Sequence, residues 1–413
     1  MIFFTANKDL NTCGFSLAVC FFIVIVALAS CSVRDLQTKA EASNLKKAET
    51  TLDSIFQRYR VSNSCLLRET FPFGNGYNAT YLASEDQNNV TNEFAYLWPY
   101  SGVFSAVNVL LEVSKDDKYL ELLNKCILPG LEEYFDTVRS PYAYASYIFD
   151  APLSDRFYDD NVWLGIDFTD IYQTTKNKVY LEKAELIWQL ILSGTDEKLG
   201  GGAYWCEQKK ESKNTCSNAP GAVYAFKLFE ATGDSSYFFK GKELYEWTKS
   251  HLQDPDDFLY FDNISLTGKV NKTKFAYNSG QMMQSAALLY KLTKEAHYLT
   301  EAQNIAKSCY SFFFADFTGK ENESFRLIKR GDVWFTAVMF RGFIELYRLD
   351  KNKLYIDTFS RNLAYAWDNS RDADGLFNVD FSGEKKDRKK WLLTQAAMVE
   401  MFARLYDLET STN

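Results

Sequence analysis

Histidine is nearly absent from this sequence, since only His251 and His297 occur among its 413 residues. The eight cysteines include no CxxC pair, so the usual ligands of a zinc site are missing. No glycine-rich loop follows a strand pattern, which leaves nucleotide binding without support. We therefore expect the protein to need neither a metal ion nor an organic cofactor.

Positive charge is also in short supply, with 46 Lys and Arg against 54 Asp and Glu and a net charge of −8. Proteins that bind nucleic acid use clustered cations to neutralise phosphates, so the sequence argues against a nucleic-acid partner. Aromatic residues, in contrast, make up 16% of the chain. Many must be core residues, but aromatic side chains on loops are also how proteins stack on sugar rings.

Residues 15–29 form an apolar run at the amino terminus that ends in Leu28-Ala29-Ser30-Cys31. The run is short for a membrane-spanning helix and is typical of a signal peptide. Small residues directly before a cysteine resemble a bacterial lipobox, which predicts lipidation of Cys31 and anchoring to a bacterial membrane. Ser32 after this cysteine favours the outer membrane. A plain signal peptide or an anchor helix is the alternative, and either way we expect export.

Five cysteines remain after the predicted signal peptide and the lipidated Cys31. Cys206 and Cys216 flank a polar loop, and in an oxidising compartment such a pair can form a disulfide. The others are interpreted as small buried hydrophobic residues. They are Cys65, Cys126 and Cys309.

A repeat organises the rest of the chain. Polar turn residues followed by a tyrosine and an amphipathic helix recur every 57 or 61 residues, and Tyr59 extends the series to six. A fixed period of this size indicates a repeat architecture. The other repeated tyrosines are Tyr119, Tyr180, Tyr237, Tyr298 and Tyr355.

Each repeat is predicted to contain two helices, with a short link before the repeated tyrosine and a long link on the other side. Six such pairs predict an all-α (α/α)6 barrel, formed by a single domain at 47–413 that follows a tether at 32–46. An open solenoid is the alternative, but the absence of polar terminal caps favours closure. The predicted helices are 39–60, 97–115, 118–137, 158–175, 179–193, 218–232, 236–252, 275–293, 297–313, 333–349, 353–369 and 390–408.

Two adjacent carboxylates, Asp159 and Asp160, begin one predicted inner helix. Adjacent Cα atoms are ~3.8 Å apart and helical side chains diverge by about 100°, so the carboxyl groups are expected on the order of 5 Å apart. A retaining glycosidase needs ~5–5.5 Å. A helix cap and a first-turn acid are the other interpretation. Because the long links all lead to the starts of inner helices, we expect the pair at the mouth of the barrel.

An ordered set of motifs runs from about residue 90 to about residue 380 and includes this pair. The motifs include Phe94-Ala95-Tyr96-Leu97-Trp98-Pro99, Tyr158-Asp159-Asp160-Asn161, Gly200-Gly201-Gly202-Ala203-Tyr204-Trp205, Ser217-Asn218-Ala219-Pro220, Tyr277-Asn278-Ser279-Gly280-Gln281 and Trp334-Phe335-Thr336-Ala337. Together they resemble glycoside hydrolase family 76, the endo-α-1,6-mannanases. The resemblance implies an (α/α)6 fold and retaining cleavage of α-mannan, with Asp159 as nucleophile and Asp160 as general acid and base.

The same motifs supply candidate contacts to the sugar. The aromatic candidates would stack on mannose rings, with packing at helix ends as the other interpretation. The asparagines would bind sugar hydroxyls or cap their helices. The predicted substrate-binding residues are Trp98, Tyr158, Asn161, Tyr204, Trp205, Asn218, Tyr277, Asn278 and Trp334.

The stretch Asp372-Ala373-Asp374-Gly375 looks like the start of a calcium loop. The closing position holds Gly383 in place of the glutamate such a loop requires, so we expect an ordinary turn.

Two other classes of function stay open. Another (α/α)6 carbohydrate enzyme is possible, although lyases and epimerases of this shape often rely on histidine, and both histidines fall on predicted outer helices. A non-catalytic lipoprotein that captures oligosaccharide would need stacking aromatic residues but no paired acids. The acidic pair therefore favours the hydrolase.

Overall fold

The computed structural model describes residues 43–74, 79, 83, 92–149 and 153–411. The contacts gather Asn44–Asn413 into one compact unit. Within the described part, no helix is both long and apolar enough to cross a membrane. The predicted signal peptide, Cys31 and residues 32–42 of the predicted tether lie outside the described residues.

Helices dominate the described chain. A π-helical turn at Leu123–Ile127 joins α3 to α4, so that these two form one outer helix. The α-helices are α1 Asn44–Tyr59, α2 Leu97–Ser114, α3 Asp117–Leu122, α4 Leu128–Glu132, α5 Tyr158–Thr175, α6 Lys178–Ser193, α7 Thr215–Thr232, α8 Ser235–Leu252, α9 Ala276–Thr293, α10 Ala296–Phe313, α11 Val333–Asp350, α12 Lys353–Asn369 and α13 Leu392–Ser411.

The inner helices form a closed ring. Contacts run in order through α2, α5, α7, α9, α11 and α13, and α13 packs back against α2. The outer helix α1 packs on α13, so the two ends of the described chain complete the sixth pair. This closure confirms the predicted (α/α)6 barrel over the open solenoid.

Glycines allow two inner helices to approach closely. A Cβ atom at Gly280 of α9 would lie 2.4 Å from Met339 Cα of α11, and one at Gly342 would lie 2.3 Å from the Gly280 carbonyl oxygen. Any larger side chain would push the two backbones apart. The ring is therefore tightest between α9 and α11.

Each short link from an inner to an outer helix contains two residues of fixed conformation. The first has a positive φ, as at Lys115 (56°), Lys176 (59°) and Gly233 (77°), and ends the inner helix. In four of the five links the second residue caps the outer helix with its side chain; Asn177 Oδ1, for example, accepts a hydrogen bond from the Val179 N–H at 3.2 Å. The links are shorter than the three or four residues predicted, because the cap belongs to both the link and the helix.

The repeated tyrosines join neighbouring outer helices. The Tyr119 hydroxyl donates to Glu49 Oε1 of α1 at 2.9 Å, and the Tyr180 hydroxyl donates to Asn124 Oδ1 at 2.8 Å. Tyr237 and Tyr298 donate in the same way to glutamates of the preceding outer helix, each at 3.3 Å. In four of the six repeats, the sequence period therefore reflects a contact between neighbouring outer helices.

The long links carry short strands that the sequence did not predict. Because β2 pairs with β3, the outer helix predicted at 118–137 ends at Glu132. Helix α7 begins at Thr215, before the predicted 218, and contains Pro220. The strands are β1 Thr70–Phe71, β2 Phe135–Asp136, β3 Ala143–Tyr144, β4 Ser212–Asn214, β5 Phe261–Ser265, β6 Val270–Lys274, β7 Phe314–Thr318, β8 Ser324–Ile328 and β9 Lys390–Trp391.

Candidate active site

An amide side chain in the fourth position of several inner helices holds the long link before it. In α5, Asn161 Oδ1 accepts from the Tyr144 N–H and Nδ2 donates to the Tyr144 carbonyl, both at 2.9 Å. In α7, Asn218 does the same to Ala203, at 2.6 and 2.9 Å. Gln395 of α13 repeats the pattern. Each amide imitates a paired strand and fixes the link against the barrel mouth.

A cation two residues before the helix secures the same links. Lys213 Nζ lies 2.7 Å from Asp196 Oδ1, and Lys390 Nζ lies 2.6 Å from Asp372 Oδ2. Both lysines are buried, so each ion pair is expected to be costly to break from one side. The cations of this position are Arg156, Lys213, Lys274 and Lys390, ahead of α5, α7, α9 and α13.

Lys213 is enclosed by the glycine-rich link. Its ammonium group donates to the carbonyls of Lys198, at 2.7 Å, and of Gly201. The backbone bends around it through four consecutive positive φ angles at 199–202. Three of these four residues are glycines, which adopt positive φ without steric strain. This arrangement delivers the next residues, up to Trp205, to the mouth of the barrel.

Asp372 is held by lysine side chains. Its two carboxylate oxygens accept from Lys386 Nζ at 2.8 Å and Lys390 Nζ at 2.6 Å. Burial acts against ionisation there, but these bonds hold the pKa of Asp372 at about 2. The stretch is thus a lysine-closed turn.

A cavity of about 230 Å³ opens at the starts of the inner helices, where the long links converge. Most of its walls are aromatic, and both adjacent aspartates reach it. Its lining residues are Tyr96, Trp98, Ser146, Phe157, Asp159, Asp160, Trp163, Trp205, Phe275, Tyr277, Trp334 and Phe335.

The aromatic walls are packed against one another. Trp334 meets Trp163 edge-on, with ring centroids 4.8 Å apart, and meets Trp98 edge-on at 5.6 Å. Tyr277 stacks on Phe335 at 4.0 Å. Because each ring is fixed by its neighbours, the cavity presents rigid flat surfaces of the kind that bind sugar faces.

The two aspartates occupy the first turn of α5 and differ in environment. Burial raises the pKa of Asp159 to about 6, against the lowering effect of hydrogen bonds that include the Cys216 and Trp205 side chains. Burial and the neighbouring Asp159 charge raise the pKa of Asp160 much further. At neutral pH, Asp160 is therefore the carboxyl group that keeps its proton.

Three polar atoms of the lining lack partners within the described part of the chain. Ser146 Oγ, Asp159 Oδ1 and Trp334 Nε1 are buried, and none of them makes a hydrogen bond there. A buried acceptor and a buried donor left open on one cavity wall are what a polar ligand would satisfy.

The structure brings six of the eleven predicted site residues to the cavity. The other five do not line this cavity, and a direct contact of these residues with sugar stays a prediction. The side chains of Asn161 and Asn218 are taken up by their hydrogen bonds to the preceding links and have no exposed surface. Tyr158 packs on Gly194, and the Tyr204 hydroxyl donates to Asp196 at 2.7 Å. The fifth, Asn278, is fully buried.

Asp262 is a site candidate that the sequence prediction missed. It lies two residues after Tyr260, whose N–H is held by Ser279 in the fourth position of α9. The corresponding residues of two other links, Ser146 and Trp205, line the cavity. Burial raises the pKa of Asp262, while hydrogen bonds from side chains that include Asn263 lower it. The repeat register was the signal that could have found it.

Asp262 also acts on a wall of the cavity. Burial, with the nearby Cys216, Asp262 and Asp159, raises the pKa of Tyr277 well above its ordinary value. A third carboxylate therefore stands beside the catalytic candidates.

The pairing of Cys206 and Cys216 that the sequence left open is not seen in the structure. Cys206 and Cys216 are separate buried thiols; Cys206 packs on Phe157, and Cys216 lies beside Asp159. The link before α7 is held in place by the Lys213 ion pair and by the hydrogen bonds of Asn218, without a covalent crosslink.

Neither histidine lines the cavity, since His251 ends α8 and His297 begins α10. In the described ranges, no three His, Cys, Asp or Glu side chains are grouped so that they could hold a metal ion. An (α/α)6 barrel with paired buried carboxyls in an aromatic cavity defines a carbohydrate-active protein of the glycoside hydrolase type.

Comparison with known proteins gives the family. Residues 70–326 match the model of glycosyl hydrolase family 76, and the chain belongs to that family. This confirms the resemblance noted in the sequence.

Two solved structures from Bacteroides thetaiotaomicron share the fold over most of the chain. A family 76 glycoside hydrolase from a bovine strain is 33% identical, with a TM-score of 0.81, covering 89% of this chain and 78% of that one. A family 76 mannosidase from strain VPI-5482 is 32% identical, with a TM-score of 0.81, covering 90% and 100%.

Curated fungal relatives match over a shorter length. A mannan endo-1,6-alpha-mannosidase of Candida glabrata is 30% identical over 113 residues, which is 25% of either chain. The chain spans about half the length, or less, of the curated relatives it matches.

Proposed function

We propose that this protein hydrolyses α-1,6-mannosidic linkages of α-mannan by a retaining double displacement. The observation that carries the proposal is the pair of buried carboxyls, Asp159 and Asp160, whose pKa values are driven apart in one aromatic cavity. One ionised and one protonated carboxyl are the two groups this reaction needs. The mannosidase and mannanase relatives indicate the sugar and the linkage.

In the first step, the Asp159 carboxylate attacks the anomeric carbon as the bond to the leaving oxygen breaks, and Asp160 gives its proton to that oxygen. This forms a mannosyl ester on Asp159. In the second step, Asp160 takes a proton from water, which attacks the same carbon and releases Asp159 as a carboxylate. Asp160 ends the cycle protonated again, and the sugar keeps its anomeric configuration.

The aromatic walls would hold the chain for this chemistry. Trp98, Trp205, Tyr277 and Trp334 line the cavity and are fixed by ring packing or burial. Flat rigid rings stack on pyranose faces at small entropic cost. The open Trp334 Nε1 supplies a donor for a sugar hydroxyl.

The test is incubation of the protein with debranched α-1,6-mannan, with products separated by chromatography. We expect a ladder of short oligosaccharides for endo action, whereas mannose alone would indicate exo action at the same site. Asp159→Asn and Asp160→Asn should each abolish product formation. Asp167→Asn, the same change two turns along α5 and outside the cavity, is the matched control and should keep activity.

A non-catalytic glycan-binding role is the second candidate, supported by the aromatic cavity alone. Calorimetry with α-1,6-manno-oligosaccharides separates the two. Binding without product, unaffected by either Asp→Asn change, would replace the enzyme by a capture module.

We also propose that the protein is exported and anchored by a lipid on Cys31. The apolar run that precedes this cysteine supports the proposal. Metabolic labelling with a fatty-acid analogue should mark the expressed full chain and not Cys31→Ser. Unlabelled protein that is still processed would favour a plain signal peptide.

A further inference from the structure

We propose that Cys65 and Cys126 form a disulfide bond. Cys65 lies between α1 and α2, and Cys126 lies in the π-helical turn between α3 and α4. Neither lines the cavity, and the proposed chemistry uses neither. Nothing in the sequence marks them as a pair, because they are 61 residues apart in the chain.

A single tyrosine hydroxyl holds the two backbones together. Tyr100 Oη of α2 shares its hydrogen bond between the carbonyls of Cys65, at 3.0 Å, and Ile127, at 3.1 Å. The carbonyl of Cys65 and the carbonyl of the residue after Cys126 are therefore held against the same hydroxyl group.

The Cys65 thiol reaches the segment that carries Cys126. Cys65 Sγ donates to the carbonyl of Lys125, the residue directly before Cys126, at 3.7 Å. Cys65 is also close enough to Cys126 to help raise the pKa of that thiol. Gly130 packs against this point, since a Cβ atom there would lie 3.0 Å from the Cys65 carbonyl oxygen. The segments are thus confined where the bond would form.

Exposure separates this pair from the other described cysteines. Cys65 and Cys126 are half-buried, so a small oxidant can reach them, whereas Cys206, Cys216 and Cys309 are buried. Burial and the Cys65 hydrogen bond raise the pKa of Cys126 to about 11, with Arg60 acting in the opposite direction. We therefore place the first step on Cys65.

The bond forms by exchange with a small disulfide oxidant. The Cys65 thiolate attacks the oxidant's disulfide, forms a mixed disulfide and releases one thiol. The Cys126 thiolate then attacks the Cys65 sulfur and releases the second thiol. The two cysteines lose two protons and two electrons, and the oxidant is reduced to two thiols.

The crosslink would constrain the part of the ring that holds Trp98. It would close a long chain segment that includes α2 and fasten the link after α1 to the outer helix made of α3 and α4. Closing so long a loop restricts the unfolded chain strongly. We expect a higher unfolding temperature with activity unchanged, because no cavity residue is altered.

The experiment treats the reduced, folded full chain with oxidised glutathione, alkylates the remaining thiols and digests with trypsin. Mass spectrometry should show the peptides 61–68 and 126–139 joined through their cysteines. The oxidised protein should unfold about 5 °C higher than the reduced protein. Cys65→Ser and Cys126→Ser should each lose both the joined peptide and the shift on oxidation.

Cys309→Ala is the control and should keep the joined peptide. Recovery of both peptides as separate glutathione adducts, or as alkylated thiols after equilibration, would overturn the proposal. This outcome is independent of the mannan assay, because mass spectrometry detects the peptides of the wild-type protein whether or not the protein is active.

Discussion

At the scale of single residues, the two aspartates differ because of where α5 begins. Asp159 and Asp160 share one turn, but the Asp160 carboxyl has only burial and its neighbour's charge acting on it, whereas Asp159 also accepts hydrogen bonds. Accepting such bonds favours ionisation. One turn of helix thus yields a nucleophilic carboxylate and a protonated acid from the same residue type.

This difference predicts a bell-shaped pH profile. Activity requires Asp159 ionised and Asp160 protonated, so kcat/KM should rise as pH increases through about 6 and fall once Asp160 ionises at higher pH. Initial rates on α-1,6-mannan from about pH 4 to about pH 9 measure both limbs, whose values belong to the coupled pair. A rate that is constant across about pH 4 to 7 would contradict this assignment of the nucleophile.

Asp262 gives a second prediction at this scale. If it binds a sugar hydroxyl, Asp262→Asn should lower kcat/KM by about 10- to 100-fold, the cost of weakening a charged hydrogen bond. Steady-state kinetics on manno-oligosaccharides measure the change, and the unfolding temperature shows whether the fold is intact. Asp316→Asn, at an exposed carboxylate of the neighbouring hairpin, is the control and should have no effect. Equal kinetics in both variants would remove Asp262 from the site.

The residue scale is also where the sequence misled most. Asn161 and Asn218 stand at helix starts beside the acidic pair, which is the pattern of ligand residues and of helix caps alike. Their true partners, Tyr144 and Ala203, lie 17 and 15 residues away in irregular links. No local pattern encodes a pairing across a link of variable length. The aromatic residues were predicted better. A tryptophan side chain is large, so one placed at the mouth of the barrel becomes part of the cavity wall, as Trp98, Trp205 and Trp334 do.

At the scale of elements, the inner helices were the most predictable feature. The helix predicted at 158–175 is observed at Tyr158–Thr175, where Lys176 in the left-handed conformation ends it. The two-residue strands were missed because they are too short to show alternation. In several repeats, the first residue of the short link has a side chain and a positive φ. Of the residues at this position, only Gly233 adopts a positive φ without steric strain.

This mismatch predicts a stabilising change. Lys115→Gly should raise the free energy of unfolding by about 0.5–1 kcal/mol, because Lys115 is exposed and holds a φ of 56° that costs a side chain with a Cβ atom. Urea unfolding should show a higher midpoint with an unchanged slope. Gly233→Ala, in the equivalent link, should be destabilised by about 1 kcal/mol. Lowered stability in Lys115→Gly would mean that its side chain matters more than its backbone.

At the scale of the whole molecule, a buried ion pair joins two adjacent inner helices of the ring. Arg341 of α11 donates to Glu400 of α13 through Nε at 2.6 Å and Nη2 at 2.7 Å. Burial opposes ionisation, but Arg341 and Arg404 hold the pKa of Glu400 at about 2. The period of the sequence predicted that the ring closes; it gave no sign of this pair, whose members are 59 residues apart.

Other buried carboxyls act on stability in the opposite direction. Burial raises the pKa of Asp167 to about 7, and raises those of Asp159 and Asp332 to about 6, from 3.8. Between these values the folded chain binds protons that the unfolded chain has released. Their contribution is therefore complete below about pH 4 and is lost as pH rises to about 7. The contribution of Glu400 is complete above 4.5 and is lost as pH falls towards 2.

The two effects together predict maximal stability in mild acid, near pH 4 to 5, and a lower unfolding temperature at about pH 8. Asp167→Asn should weaken this fall, because an amide keeps the contact with Ser105 without ionising. For one carboxyl shifted by this much, the difference is on the order of 3 kcal/mol. Thermal unfolding at about pH 5 and pH 8 measures it in both proteins. An equal fall in the variant would mean that Asp167 ionises in the folded barrel at no cost, and that the closed ring tolerates charge at its centre.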